Sequence, residues 1–443
     1  MSDEPAVASP WRWVPGPAGR HPLGLWRNKD FLRLWSAQGI SAIGGQITIL
    51  ALPLTAILVL QASAFEVALL ATAASVPYLA LGIPVGVWVD RVRRRPVMIA
   101  ADVGRAAALA SLPAAYGIGV LTLPHLYVVA VVSGSLSVCF EVASQAYLPS
   151  VVTREQLVEA NSRFEATRVI AQVAGPSAGG GLVSLVTAPV ALLADAASFV
   201  ASAHLITSVS KRHETTQTTS GDSHSTRHDL REGARYVLSH RYLRPLLLAH
   251  SLANLALGLV WSIVIVYAVR ELGLTAAAVG AVLSVGQLGG FAGAALASKS
   301  ASIAGVGRIV VAAFFLFGPA TLLLAGAPTS VAILFLGLGW TLENFARALY
   351  GVCATSVRQA FVPSRLQARV TGFLVTAGMG TFPLGTAIGA VLAAAVGLRG
   401  AMILAAFISF LPFIPVAASP IRSLRDLSHL DADSTVARAR GLK

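Results

Sequence analysis

The sequence predicts an all-α membrane protein: twelve transmembrane helices in two six-helix bundles, with both termini cytoplasmic. Three observations carry that expectation. Hydrophobic residues make up 55% of the 443 and charged residues only 12%, against about a quarter charged in soluble proteins. A soluble chain of this length would need polar surface for two or three domains, and these residues cannot supply it. The apolar residues also fall in runs long enough for helices, which need about 20 residues to cross the hydrocarbon layer, without the alternation of barrel strands. Finally, basic residues cluster at the ends of the runs. With the N-terminus inside, only Arg270 and Arg399 of the 33 Lys and Arg fall on the outer side, the asymmetry that orients membrane helices.

Taken in chain order, residues 1–29 form a cytoplasmic tail with acidic residues and prolines where a signal peptide needs a basic start and an apolar core. Trp11, Trp13, Trp26 and Trp35 read as interfacial anchors. The N-terminal bundle, 30–210, holds spans at roughly 31–60, 65–89, 96–118, 124–147, 162–186 and 188–210. A cytoplasmic linker, 211–241, begins Thr/Ser/His-rich and flexible. From Asp229 onward, Leu230, Ala234, Val237 and Leu238 share one helical face, which predicts an interfacial helix. The linker histidines, His213, His224, His228 and His240, are too irregularly spaced for a metal site and read as solvated. The C-terminal bundle, 242–418, holds spans at roughly 243–269, 276–298, 306–326, 330–356, 367–395 and 399–418, followed by a cytoplasmic tail, 419–443.

The two bundles read as repeats. "QAYLPS" at 145–150 returns as "QAFVPS" at 359–364, and "FLRLW" at 31–35 is echoed by "YLRPL" at 242–246. Parallel repeats of this kind build transporter halves related by an axis along the membrane normal. The formal charge of +13 is a topology signal, because no soluble basic domain exists to hold nucleic acid. Cys139 and Cys353 sit in separate predicted spans and make no disulfide framework or zinc spacing. No metal site or cofactor is expected. No nucleophile–base or metal constellation is present either, and "GMG" at 378–380 lies in a membrane helix without a preceding strand; a membrane-embedded enzyme is therefore the remote alternative.

Between spans two and three the chain delivers Asp90, Arg91, Arg93, Arg94 and Arg95 on a short hinge. "GVWVDRVRRR" resembles the G-x-x-x-D-R-x-x-R-R signature of the major facilitator superfamily at Gly86, Asp90, Arg91, Arg94 and Arg95. There the motif latches the cytoplasmic gate. By that resemblance Gly86 admits a neighbouring helix, Asp90 caps a helix or pairs with Arg105 or Arg369, and the other arginines stay in the aqueous interface. In span five, "AGPSAGGG" is similar to the superfamily's antiporter motif at Gly175, Pro176, Gly179 and Gly180, with Gly286, Gly289, Gly290 and Gly293 of span eight as the expected partner face. "DLREGARYVLSHRYLRPLL", "LLADAASF" and "VRQAFVPSRLQARVTG" look like the bacterial branch of macrolide-efflux and enterobactin-exporter proteins. Span four lacks the membrane arginine of many drug/proton antiporters, so proton coupling is not carried over through that position.

Ionisable groups inside membrane helices are costly and usually functional. Span ten offers Glu343, Asn344 and Arg347; the first and last are one turn apart and can pair. Glu343 falls near mid-membrane, where substrate sites of this fold lie, and is the expected proton carrier. Asp195 and Glu141 are the next candidates for coupling or substrate contact, with a structural role as the alternative for the first and a gate contact with a cytoplasmic arginine for the second; Glu165 and Arg168 belong to the gate. His250 and Asn254, one turn apart on span seven, are candidates for the pore wall, with Gln38, Ser41, Gln46 and Thr48 of span one.

Together these features predict a secondary active transporter of the bacterial cytoplasmic membrane that exports amphipathic organic compounds, macrolide-like or other natural products, by proton antiport. Its expected partners are a small-molecule substrate, protons and membrane lipid, and it is expected to act as a monomer. The alternative is a dedicated exporter or importer of one small metabolite or siderophore.

Overall fold

In the computed structural model, residues 24–89, 91–210, 226–363 and 366–425 are described. Helix α1 (Lys29–Leu54) starts where the Asn28 side chain accepts from the amides of Asp30 and Phe31 at 3.1 and 3.0 Å, and it continues as a π-helical stretch over Thr55–Val59. Helix α2 (Ala64–Val89) begins at a reciprocal cap: Ser63 Oγ accepts from Glu66 N, and Glu66 accepts from Ser63 N. Helices α3 (Arg94–Gly117), α4 (Leu123–Val151), α5 (Leu157–Leu185) and α6 (Ala188–Thr207) complete the N-terminal half. Helix α7 (Thr226–Ser239) follows the linker. The C-terminal half contains α8 (Leu243–Arg270), α9 (Ala276–Ala304), α10 (Val306–Ala325), α11 (Ala332–Phe361), α12 (Gln367–Met379), α13 (Thr381–Ile408) and α14 (Phe413–Ala417).

Among the described residues, ten stretches are long and apolar enough to cross a membrane. Helix α5 adds another crossing, with its charged residues Glu159, Arg163, Glu165 and Arg168 confined to its first half. The last stretch, Arg369–Ala417, contains two crossings, because Gly397 takes φ 74° and interrupts α13. Before that point α13 runs alongside α8, with Gly385 against Leu255 and Gly389 against Leu259 and Ser262; beyond it the chain runs antiparallel to α10, with Phe410 on Gly318 and Ile421 on Gly307. Left-handed φ suits glycine because it carries no Cβ, so Gly397 is the turn between spans eleven and twelve. Twelve crossings result among the described residues, the number the sequence predicts.

Span eleven is broken, where the sequence suggested one continuous helix: α12 ends at Met379 and α13 starts at Thr381, leaving Gly380 as the joint. Helix α7 carries the predicted amphipathic pattern but packs on protein, against α12 and α8. Val237 is fully buried there, Leu238 stays half exposed, and Arg369 of α12 pairs with Glu232. His240 is not a solvated loop residue. It is half-buried among Tyr236, Tyr242 and Phe361, and burial together with Arg241 holds its pKa below the usual imidazole range. His213 and His224 lie outside the described residues.

The halves have parallel designs. Helices α1 and α8 begin 214 residues apart (243 − 29), and α3 and α10 begin 212 apart (306 − 94). Helix α1 packs on α5 and α6, as α8 packs on α13; α2 packs on α4, as α9 packs on α11. Between the halves, α5 lies against α9, and α2 against the first part of α13. The hydrogen bonds between halves whose partners are both described lie away from the linker, at what we term the far end. Arg270 donates to the Ala62 carbonyl, Ser177 N and Oγ meet Ser284 Oγ at 3.0 and 2.8 Å, and Thr72 meets Thr386 at 3.0 Å.

On either side of the Ser177–Ser284 hydrogen bonds the α5–α9 seam is backbone against backbone. A Cβ on Gly180 would sit 2.3 Å from the Ala276 carbonyl oxygen, and one on Gly280 would sit 2.2 Å from that of Pro176. Only glycine permits such an approach. The expected partner face on span eight is therefore corrected: Gly286, Gly289 and Gly293 receive Trp340, Thr341 and Phe345 of α11, and Gly290 has open space around it. Of the remaining motif residues, Gly175 and Gly179 seat α1 at Gln46 and Ile47.

Candidate functional site

Between the halves lies a cavity of about 850 Å³, walled by α1, α2, α4, α8 and the α12–α13 joint. It runs from Val67 and Leu70 near the far end to Gly82, Glu141 and Gln145 nearer the linker end. Most of the wall is aliphatic or aromatic, including Trp261, which stacks on Trp340 at 5.6 Å. Among the described residues the only charged side chain on this wall is Glu141, with Tyr78 Oη 3.4 Å from its carboxylate. Glu141, one of the coupling or substrate candidates of the sequence, therefore stands at the substrate-sized space.

Behind this wall is a buried network that sequence reasoning missed. Asp102, fully buried, pairs with Arg105 one turn on and accepts from Ser202 at 2.6 Å. The Arg105 guanidinium is held between the rings of Phe140 and Phe199, at 4.6 and 4.0 Å, and reaches Ser137 at 3.4 Å. The i, i+3 spacing of the two in "ADVGRAAA", inside an otherwise apolar span, was the available signal. Arg105 is thus an interior residue of the N-terminal half, three turns into α3, and not a residue of the linker-end seam.

The other sequence candidates divide by location. Asp90 lies outside the described residues. Arg91 is exposed, whereas Arg94 donates to Ala146 O at 3.1 Å and Arg95, buried, donates to the Ile206 and Thr207 carbonyls. That corrects the expectation of a freely solvated cluster: Arg95 caps the C-terminus of α6, where carbonyls lack helical partners. Gly86 has no atom within 4 Å of where a Cβ would sit, so no helix packs on it here. Asp195 accepts from Thr48 and, at 3.0 Å, from Ser198, under Gly44 of α1. Gln38 bonds Ser144 and Gln46 presses on Gly175, so of the polar residues named on span one only Thr48 reaches the cavity wall.

In the C-terminal half, Glu343 is 8% exposed and one of its oxygens meets Arg347 at 2.6 Å; Oε2 has no hydrogen-bond partner among the described residues. Arg347 lies over the Phe317 ring at 5.2 Å. Asn344 donates to Trp340 O at 2.9 Å. None of the three is on the cavity wall. Asn254 is on it, and it also donates to the His250 carbonyl at 2.9 Å, while the His250 ring shares a hydrogen bond with Tyr350 Oη. Among the described residues no group of three His, Cys, Asp or Glu is placed to hold a metal ion.

A twelve-span, two-half body around a central cavity can be compared with known proteins. The family model of the Major Facilitator Superfamily matches residues 34–345. The chain belongs to the major facilitator superfamily. It is a multi-pass membrane protein of that superfamily. A curated relative, an uncharacterized MFS-type transporter, YfiS, of Bacillus subtilis (strain 168), is 28% identical over 183 residues. That match covers 41% of this chain and 43% of the relative, so the chain spans less than half the length of the curated relative it matches. Among solved structures, the nucleoside transporter NupG aligns with a TM-score of 0.71 at 12% identity, covering 88% of this chain and 98% of that one. A bacterial homologue of the iron transporter ferroportin gives 0.69 at 16%, covering 88% and 98%. A bacterial homologue of the lysosomal transporter Spinster gives 0.67 at 15%, covering 91% and 100%. These likenesses show the superfamily fold.

Proposed function

We propose that this transporter exports amphipathic organic compounds from a bacterial cytoplasm in exchange for protons, by alternating access, and works as a monomer. The observation that carries the reading is the cavity. Its volume of about 850 Å³ falls in the range of about 300–1,000 Å³ that holds drug-sized ligands, and its wall is apolar with a few polar groups. The basic residues concentrated at the linker end support a cytoplasmic position for that end. With the far end sealed, the cavity would load from the cytoplasmic side, and opening the α5–α9 seam would release the substrate outward. Asp90, Arg91 and Arg94 would then latch the linker end, using the open space at Gly86.

Glu343 is the coupling carboxylate in this reading. It is buried, paired on one oxygen and unpartnered on the other, an arrangement that can take up and release a proton as Arg347 moves. The test is energised export from cells lacking their own drug pumps, with macrolides, dyes and siderophores loaded with and without a protonophore. Protonophore-sensitive export is expected, falling to the level of empty cells in Glu343→Gln. Equal retention in expressing and empty cells across the panel would overturn broad efflux and point to one dedicated metabolite.

A further inference from the structure

The charges inside the protein do not balance around the cavity. Deep within each half lies one arginine, and each has a carboxylate on its own helix: Arg105 with Asp102 on α3, and Arg347 with Glu343 on α11. Both cations are thereby neutralised, and neither lines the cavity. Glu141 is left over. Its only hydrogen-bond partner among the described residues is the neutral hydroxyl of Tyr78, and its side chain is exposed to the cavity. Asp195, close behind Thr48 of the same wall, is hydrogen-bonded by hydroxyls, and the one cation that acts on it and on Glu141 is the Arg105 already paired with Asp102. One arginine therefore serves three carboxylates, Asp102, Glu141 and Asp195, and the charge beside the cavity is net acidic among the described residues.

We propose that Glu141 is the selectivity group of the cavity and that the substrates are lipophilic cations, organic molecules with a positive charge embedded in apolar surface. The proposal rests on the reading that this cavity is the substrate site. In a wall this apolar a single carboxylate acts through a low effective dielectric, so its attraction for a cation and its repulsion of an anion are large. Tyr78 and Trp261 supply ring faces that favour a cation further, and the aliphatic remainder accepts the apolar body of the ligand. A neutral amphipathic molecule would fit the volume but would leave the carboxylate with nothing to offset its desolvation.

Tetraphenylphosphonium and tetraphenylborate test this, because they have nearly the same shape and opposite charge. Binding of each is measured to the full-length protein in lipid nanodiscs, in excess over protein-free nanodiscs of the same lipid. Each ion is compared only with itself across variants, so partitioning into lipid cancels. Glu141→Gln is expected to weaken the cation by about ten- to a hundredfold and to leave or improve the borate, and Glu141→Asp to keep the cation bound. Gly82→Trp, at a wall position with open space beside it, is expected to exclude both ions. If Gly82→Trp blocks binding and Glu141→Gln leaves the cation's affinity unchanged, the selectivity role is overturned and the cavity stands. If Gly82→Trp leaves cation binding at the wild-type level, the cavity itself is not the substrate site. Borate binding that Gly82→Trp abolishes and Glu141→Gln weakens as much as it weakens the cation would also overturn the proposal.

Discussion

Arg105→Ala is expected to lower the stability of the folded protein by about 3–5 kcal/mol, the usual cost of leaving one member of a buried ion pair alone. The argument starts from Asp102, which is fully buried and has its second oxygen committed to Ser202. Removing the guanidinium strands that carboxylate in an apolar interior, and it also empties the slot between Phe140 and Phe199, where the cation lies over two ring faces. The measurement is equilibrium or thermal unfolding of purified protein in detergent. A second variant separates charge from packing: Asp102→Leu with Arg105→Met removes both charges at similar volume and is expected to recover most of the loss, since a buried pair adds little over apolar residues that fill the same space. A cost below about 1 kcal/mol for Arg105→Ala, the level of an exposed pair, would show that the pair does not hold α3 against α6.

Gly280→Val is expected to abolish most transport while leaving a folded protein. Its new Cβ would meet the Pro176 carbonyl 2.2 Å away, backbone against which no side chain can rotate clear. Overpacking of this kind costs about 1–3 kcal/mol, which shifts the balance between sealed and open far ends by about 5- to 150-fold. Folding within each half is not touched, because the clash is between halves. The readouts are transport in proteoliposomes and thiol labelling at Thr48→Cys, in a background with Cys139 and Cys353 replaced. Transport should fall and labelling from the far side should rise. Gly290→Val, ten residues along the same helix where a Cβ meets nothing within 4 Å, is the matched control and should behave as wild type. Identical behaviour of the two variants would mean that the seam does not govern access.

Sequence reading reached the crossings, the pseudo-repeat and the amphipathic α7, because these follow from apolar run length, charge placement and helical period, all local in the chain. It did not reach what depends on neighbours in space. Arg95 looked like one more surface arginine, and only the approach of the α6 C-terminus turns it into a buried cap. The glycines of span eight looked like one face, yet they divide by depth, Gly280 to α5 and Gly286, Gly289 and Gly293 to α11. Glu141 and Gln38 carried equal weight as polar residues in apolar spans. The fold points the first into the cavity and spends the second on Ser144. The Gly380 joint was visible as "GMG", but a glycine within an apolar run reads equally as packing or as a break.

The α5–α9 seam has one more property, which concerns how the halves part. Apart from the short Ser177–Ser284 link, carbonyl oxygens resting on glycine Cα atoms have no flexible side chains to stretch after a retreating partner, and dispersion attraction decays steeply once surfaces separate by even an ångström. A small displacement therefore forfeits nearly all of the adhesion, and a slightly ajar arrangement gains little over a fully parted one. Such a junction is bistable, as packed interfaces tend to be. For a molecule that must never be open on both faces at once, that brittleness is protective: it depopulates the half-open geometries through which ions would leak.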